Sequence, residues 1–258
     1  MITSVTNAKV KQLIQLRNRS KVRRETDSFL VEGIRMFREV PVSYIKEVYV
    51  TPAFLDKHKE DEKLTSLKYE VVSEEVFERI SDTVTPQGVL CVVKCLHYSL
   101  EDVTAGKEAF LLMLEDIQDP GNLGTMIRTA EGAGVSGIVM SRGTADIYNP
   151  KVIRSTMGSV FRMPFVYVED MPESIKQISK FGIRVYAAAL DGATFYTKEN
   201  YLGKIAFLIG NEGNGLTKEA VTAATQSVFI PMEGEVESLN ASISAAVLMY
   251  EASRQRRE

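Results

Sequence analysis

From residue 105 onward, continuous apolar runs alternate with stretches in which apolar positions recur every three or four residues. The runs predict strands at Ala109–Glu115, Gly137–Met140, Phe165–Val168, Arg184–Leu190, Ile205–Ile209 and Ser227–Pro231. The recurring pattern predicts helices at Asn122–Gly134, Pro150–Phe161, Pro172–Phe181, Thr217–Ala224 and Leu239–Arg254. Continuous apolar strands separated by helices imply an α/β fold with a mostly parallel sheet covered on both faces. The first half reads as a smaller α/β unit, with a helix near Asn7–Arg17, a strand around Phe29–Glu32, a helix, and strands at Glu47–Thr51 and Gly88–Val93. The intervening LHYSLEDVTAGKEA is polar and poor in periodicity. Residues 98–106 are therefore expected to link a domain at 1–97 to one at 107–258.

The chain has 258 residues, 45% of them apolar and 25% charged, which suits a soluble globular protein and excludes fibrous, disordered and disulfide-scaffold classes. No apolar run approaches the length of a membrane span and the first residues do not read as a signal peptide, so a cytoplasmic location is expected. The net charge of -3 argues against a nucleic-acid partner. Its distribution changes that picture: residues 1–98 carry 16 basic and 14 acidic side chains, the remainder 15 and 20. Within the first 24 residues Lys9, Lys11, Arg17, Arg19, Lys21, Arg23 and Arg24 meet no Asp or Glu. Such a cluster is either a phosphate-binding footprint or a solvated basic helix.

Several chemistries are disfavoured. Cys91 and Cys95, with no nearby histidine, do not form a zinc site and read as buried structural thiols, so no metal is expected. His58 lies in the charged run DKHKEDEK, read as a solvated face, and His97 follows the last strand of the first half. A G-x-G-x-x-G occurs at Gly132, Gly134 and Gly137, but it ends a helix and leads into a strand, the reverse of a dinucleotide site. These glycines read as a helix C-cap and turn.

Three segments place polar residues or glycine just after a strand. In EDIQDPGNLGTMIRTAEGAGV, Pro120-Gly121 makes the turn and Asn122 can cap the helix. Arg128 falls about 140° round that helix from Leu123, off the apolar face, where a surface salt bridge is its plain role. In FLIGNEGNGL, three glycines let backbone approach a ligand and hold Glu212 at the carboxyl edge of the sheet, where open α/β sheets bind ligands. In FIPMEGEVESLNASISAAVLMYEASRQR, Ser238 and Asn240 start a helix that is almost wholly apolar from Ala241 to Tyr250. Burial on every side is expected, by deep insertion or at a subunit interface.

NLGTMIRTA, FLIGNEGNGL and IPMEGEVESLNASISAAVLMYE resemble, in order and spacing, the three motifs of the SpoU (TrmH-type) RNA ribose 2′-O-methyltransferases. The basic run leading into FLVEGIRMF, together with SDTVTPQGVL, is similar to that family's ribosomal-protein-L30-like substrate-binding domain. The resemblance implies a C-terminal trefoil knot that binds S-adenosylmethionine, a homodimer formed through the Leu239–Arg254 helix, and methylation of RNA, most simply 23S rRNA. It assigns cofactor contacts to Gly210, Ile230 and Leu239, with Leu190 and Met232 next in rank. It assigns the active centre to Asn122, Arg128, Glu212, Ser238 and Asn240. With the basic cluster, it makes Lys9, Lys11, Arg19, Lys21, Arg23 and Arg24 the expected RNA contacts. A tRNA enzyme, a resistance methyltransferase and an RNA-binding protein without catalysis are the alternatives, and a nicotinamide-dependent oxidoreductase is weakened by the misplaced glycines.

Overall fold

The computed structural model describes residues 1–190 and 192–257. Up to residue 96 the helices are α1 (Ala8–Asn18), α2 (Ser20–Thr26), α3 (Ile34–Glu39), α4 (Pro52–His58), α5 (Glu62–Thr65) and α6 (Glu74–Ile80). The strands there are β1 (Ser28–Glu32), β2 (Ile45–Val50), β3 (Glu70–Val71) and β4 (Val89–Lys94). Beyond it come α7 (Leu100–Thr104), α8 (Pro120–Ala133), α9 (Pro150–Thr156), α10 (Met171–Ser179), α11 (Lys218–Ala223) and α12 (Ala241–Gln255). Their strands are β5 (Phe110–Leu114), β6 (Gly137–Ser141), β7 (Phe165–Val168), β8 (Arg184–Ala188), β9 (Thr194–Phe195), β10 (Ile205–Ile209) and β11 (Gln226–Phe229). The chain divides into two compact units, one of Met1–Leu96 with Asp146–Phe161, the other of His97–Ala145 with Arg162–Glu258.

In the first unit the sheet order is β1-β4-β2-β3, with β4 antiparallel to both neighbours and β3 parallel to β2. Val10, Leu13 and Leu16, at helical spacing on α1, pack with Val76, Phe77 and Ile80 of α6 and with Leu30, Tyr49 and Leu90 of the sheet. The returning segment 146–161 belongs here because Tyr148 and Phe161 stack on Phe29, at centroid distances of 4.5 and 6.3 Å. Tyr148 also donates its hydroxyl to the Leu96 carbonyl and accepts the Leu96 amide, at 2.8 and 2.6 Å. A division of the chain at residues 98–106 alone does not contain this return. The single helix expected over Pro150–Phe161 is broken at Met157, whose φ is 50°, and only a 3-10 turn follows at Ser159–Phe161. The run expected to be a solvated face is partly structural: His58 tilts over Phe54 at 4.4 Å, and Lys63 gives its ammonium to the Phe37, Arg38 and Val40 carbonyls that end α3.

In the second unit the sheet order is β7-β6-β5-β10-β8-β11-β9, and every neighbouring pair is parallel. One set of alternating side chains, including Leu111, Met113, Ala206 and Leu208, joins Ile175 and Ile178 of α10 and Ala220 of α11 in a buried core. Of the other set, Phe110, Tyr186 and Phe207 form a cluster of rings with Tyr201 from the segment before β10. Helix α12 lies against α8 and β10. From β5 the chain builds outward through β6 and β7, and the later strands lie on the opposite side. The crevice at such a reversal, outside the carboxyl ends of β5 and β10, is where doubly wound sheets bind ligands.

Candidate active site

The polar residues at that crevice are assembled by loops held to the strand ends. Glu115, 5% exposed at the end of β5, accepts the Thr217 amide and hydroxyl at 2.9 and 2.8 Å. Asn211 donates its side-chain amide to the Asp116 carbonyl at 2.8 Å. Its side-chain oxygen accepts the Gly213 and Asn214 amides, both at 2.9 Å. Its backbone exchanges hydrogen bonds with Gly215. This turn folds back onto Gly210, where a Cβ would stand 2.4 Å from the Gly215 carbonyl carbon, so only glycine fits.

Glu212 projects from the turn and accepts hydrogen bonds from the Gln118 amide (3.2 Å), the Asp119 amide (3.3 Å) and the Asn122 side chain (3.0 Å). Burial alone would raise its pKa, but these donors and its own amide outweigh that effect and hold the carboxyl below the ordinary carboxylate value. Asn122 in turn accepts the Asn240 side-chain amide at 3.2 Å, while the Asn240 oxygen caps α12 by accepting the Ser242 amide and hydroxyl at 2.9 and 2.7 Å. The cap of α8 is Asp119, which accepts the Asn122 amide at 2.8 Å with Pro120 at the first helical position. Asn122 is thus inside the helix, not its cap, and its amide is free to join Glu212 to Asn240. An Asp-Pro pair ahead of an apolar-periodic run is the signal that marks this start.

Arg128 is exposed and makes no hydrogen bond or ion pair among the described residues. Six residues beyond Asn122, it lies about 120° round α8 and about 9 Å further along its axis. It is therefore outside the Glu212–Asn122–Asn240 cluster of its own chain. Ser238, exposed on the loop before α12, borders a separate cleft.

That cleft lies at the carboxyl ends of β8 and β11 and is lined by Leu190, Ile230, Met232 and Leu239, four of the five expected cofactor contacts, with Ser238 and Glu237. Gly210 is not on its wall; the Gly215 backbone covers it instead. Ser244 and Leu248 of α12 complete the lining, and neither they nor Glu237 stood out in the sequence, where Glu237 is one of several acids in a loop. Apolar walls, hydroxyls, a carboxylate and strand-end backbone suit a ligand with a flat apolar ring, hydroxyl groups and a positive charge.

The basic residues of the first unit separate by environment. Arg23 is buried, 4% exposed, and gives two guanidinium nitrogens to Asp146 at 2.8 and 2.6 Å and a third to the Leu16 and Arg17 carbonyls at 2.6 and 3.0 Å. With its donors so engaged, Arg23 is a structural residue, contrary to the expectation that it contacts RNA. Lys9 pairs with Glu70 and Lys21 with Glu25, while Lys11, Arg19 and Arg24 are exposed. Burial pushes the Cys91 and Cys95 thiols up to about 12, as befits inert structural cysteines. Helix α12 is not enclosed on every side within one chain, since Ile243 and Tyr250 are each 49% exposed. No group able to hold a metal and no helix long and apolar enough to cross a membrane occur among the described residues.

Residues 109–250 match the SpoU rRNA Methylase family and residues 7–91 the MRM3-like substrate binding domain. The chain is 34% identical over 252 residues, 96% of this chain and 97% of the other, to the 23S rRNA (guanosine(2553)-2'-O)-methyltransferase RlmP of Bacillus subtilis. An AdoMet-bound rRNA methyltransferase from Sinorhizobium meliloti superposes with a TM-score of 0.86 at 30% identity, covering 98% of this chain and 97% of that one. The SpoU methyltransferase AviRb from Streptomyces viridochromogenes, in complex with AdoMet, gives 0.86 at 25% identity, covering 98% and 99%. A family match spanning more than half of the residues, on the sheet that carries the Glu212–Asn122–Asn240 cluster and the adjoining cleft, means that the chain belongs to the SpoU rRNA methylase family.

Proposed function

We propose that this protein transfers a methyl group from S-adenosylmethionine to a ribose 2′-hydroxyl of 23S rRNA. The observation that carries this reading is the direct succession of Ser238 and Leu239, which line the cleft, and Asn240, which joins the Glu212 cluster. Three adjacent residues thereby tie a ligand cleft to a polar centre. The full-length similarity to an enzyme named for 23S rRNA, and to AdoMet-bound structures, supports the substrate and the cofactor.

Leu190, Ile230, Met232 and Leu239 would hold the adenine and methionine portions of the cofactor, and Ser238, Ser244 and Glu237 its hydroxyl and charged groups. When bound, S-adenosylmethionine supplies an activated methyl whose leaving group is a neutral thioether, so no metal is called for. Asn122 and Glu212 orient the ribose hydroxyl by hydrogen bonding, and as the methyl carbon bonds to its oxygen the hydroxyl proton passes to the Glu212 carboxylate, since an amide is no base. Arg128, always protonated, is a poor base and instead holds the RNA phosphate and favours the ionised hydroxyl. Correct alignment of the reacting atoms contributes up to about 7–11 kcal/mol in ideal intramolecular cases.

The homodimer belongs to the same proposal. Ile243, Val247 and Tyr250 recur at helical spacing on the open side of α12, and a second copy would cover them. A trefoil knot in the methylase half belongs to the same proposal. Exposed Lys11, Arg19, Lys21 and Arg24 serve RNA phosphates in this reading, in a cytoplasmic enzyme acting on rRNA.

The decisive measurement is a map of ribose methylation in total RNA from cells with and without the gene. Loss of one 23S 2′-O-methyl mark is the expected result, and an unchanged map would refute the reading. Calorimetry with S-adenosylmethionine separates it from a non-catalytic RNA-binding protein, which would release no heat.

A further inference from the structure

Glu212 sits on the connection from β10 to α11, which contains Gly210, Gly213 and Gly215. Glycine-rich backbone is conformationally permissive, so a carboxylate carried on it needs external restraint to keep one position. The far end is restrained by Thr217, which gives its amide and hydroxyl to Glu115. The near end depends on Asn211, whose oxygen closes the turn on the Gly213 and Asn214 amides and whose side-chain amide reaches the Asp116 carbonyl at 2.8 Å.

Asp116 is itself fixed. Its backbone takes a φ of 56°, its amide donates to the Ser141 hydroxyl at 2.8 Å, and that hydroxyl donates to the Asp116 carboxylate at 2.6 Å. A side chain at position 143 would collide with the same carboxylate, since a Cβ there would lie 2.1 Å from its Oδ1. The groups that donate to Glu212 begin two residues after Asp116, at Gln118, Asp119 and Asn122. The bond from Asn211 to Asp116 therefore joins the loop that carries the acceptor to the loop that carries its donors.

We propose that Asn211 is a positioning residue of the methyl-transfer centre, tying the Glu212 turn to the Asp116 carbonyl so that the carboxylate meets Gln118, Asp119 and Asn122. This rests on the reading that Glu212 belongs to that centre. Asn211 touches no reacting atom in this arrangement and acts through Glu212.

The test uses the full-length protein with S-adenosylmethionine and its methylatable RNA. Asn211→Asp keeps an oxygen for the Gly213 and Asn214 amides but has no donor for Asp116. Misplacement by about 1 Å costs catalysis on the order of 100-fold, so kcat is expected to fall by ten- to 100-fold. The affinity for S-adenosylmethionine should hold, because the cleft residues lie on other loops. The acid limb of the kcat profile should move to higher pH as Glu212 loses its donors. Unchanged kcat would overturn the assignment, and so would a parallel loss of turnover and cofactor affinity, which would indicate general loosening. Asn211→Ala, which also lacks the donor, should lose turnover alike. Glu212→Gln run alongside separates the two layers. If it retains full turnover, the reading of Glu212 fails and takes this inference with it; if it loses turnover while Asn211→Asp does not, only the role of Asn211 fails.

Discussion

Asn240 donates its side-chain amide to the Asn122 oxygen at 3.2 Å, and with its own oxygen caps α12 through Ser242. One side chain thus serves both the start of α12 and the polar centre. The two roles can be separated by substitution. Asn240→Asp retains the cap but loses the donor, so it should melt close to the unmodified protein while losing turnover. Asn240→Ala should lose turnover and also about 1 kcal/mol of stability, read from denaturant unfolding. Full turnover in Asn240→Asp would show that the contact to Asn122 is dispensable.

Arg128 offers a free guanidinium on the surface of α8. Arg128→Lys keeps the charge but loses the planar fork that grips a phosphate. RNA affinity should be largely retained and most turnover lost, as measured by filter binding and methyl incorporation. Unaltered turnover would remove Arg128 from the mechanism.

Neutralising basic residues of the first unit should have two distinct results. Lys11, Arg19, Lys21 and Arg24 changed together to Gln should weaken RNA binding and flatten its salt dependence with little effect on stability. Arg23→Gln should act in the opposite sense, because it leaves Asp146 without its partner in a largely buried site. Breaking a buried pair costs about 3–5 kcal/mol, and the partial exposure of Asp146 places the expectation at the lower end. Equal salt slopes before and after the four-residue change would make that face merely solvated.

The pH dependence of Glu212 follows from its donors. Its folded pKa is depressed, so the stability it contributes is complete above the ordinary carboxylate value and is lost as pH falls through the lower folded value. Glu212→Gln should remove this acid-side component from a stability profile measured by denaturant titration. A profile unchanged by the substitution would mean that the amides of Gln118 and Asp119 do not stabilise the ionised form.

The open stripe on α12 predicts its own disruption. Ile243→Asp with Tyr250→Asp should yield a monomer by sedimentation, since a charged group cannot be buried unpaired at an interface. An assembly state that does not change would place the second copy elsewhere or exclude it.

Legibility in the sequence followed the range of the interactions. The strands at Phe165–Val168 and Ile205–Ile209 were readable to the residue because each is a short apolar run with clear breaks. Strands β3 and β9 are two residues long and leave no periodic trace. Asn122, Glu212 and Asn240 could be named from motif resemblance, but their hydrogen bonds span 90 and 118 positions and needed coordinates. The basic first 24 residues looked unpaired for the same reason: Glu70 and Asp146 lie 61 and 123 positions from Lys9 and Arg23. The apolar character of α12 was evident, yet sequence alone could not divide its surface between its own sheet and outside. Asp119 displaced Asn122 as the cap because Pro120 is preorganised for the first helical position.

The stretch 146–161 carries one last implication, for how this architecture can be taken apart. A stand-alone RNA-gripping module cut in the polar stretch after residue 96 omits Asp146, Tyr148 and Phe161. It would leave the buried Arg23 without its counter-ion and uncover Phe29. The first unit is therefore a discontinuous module: a shuffled gene that moved it to another enzyme would have to carry two separate pieces of coding sequence, with part of the methylase half between them.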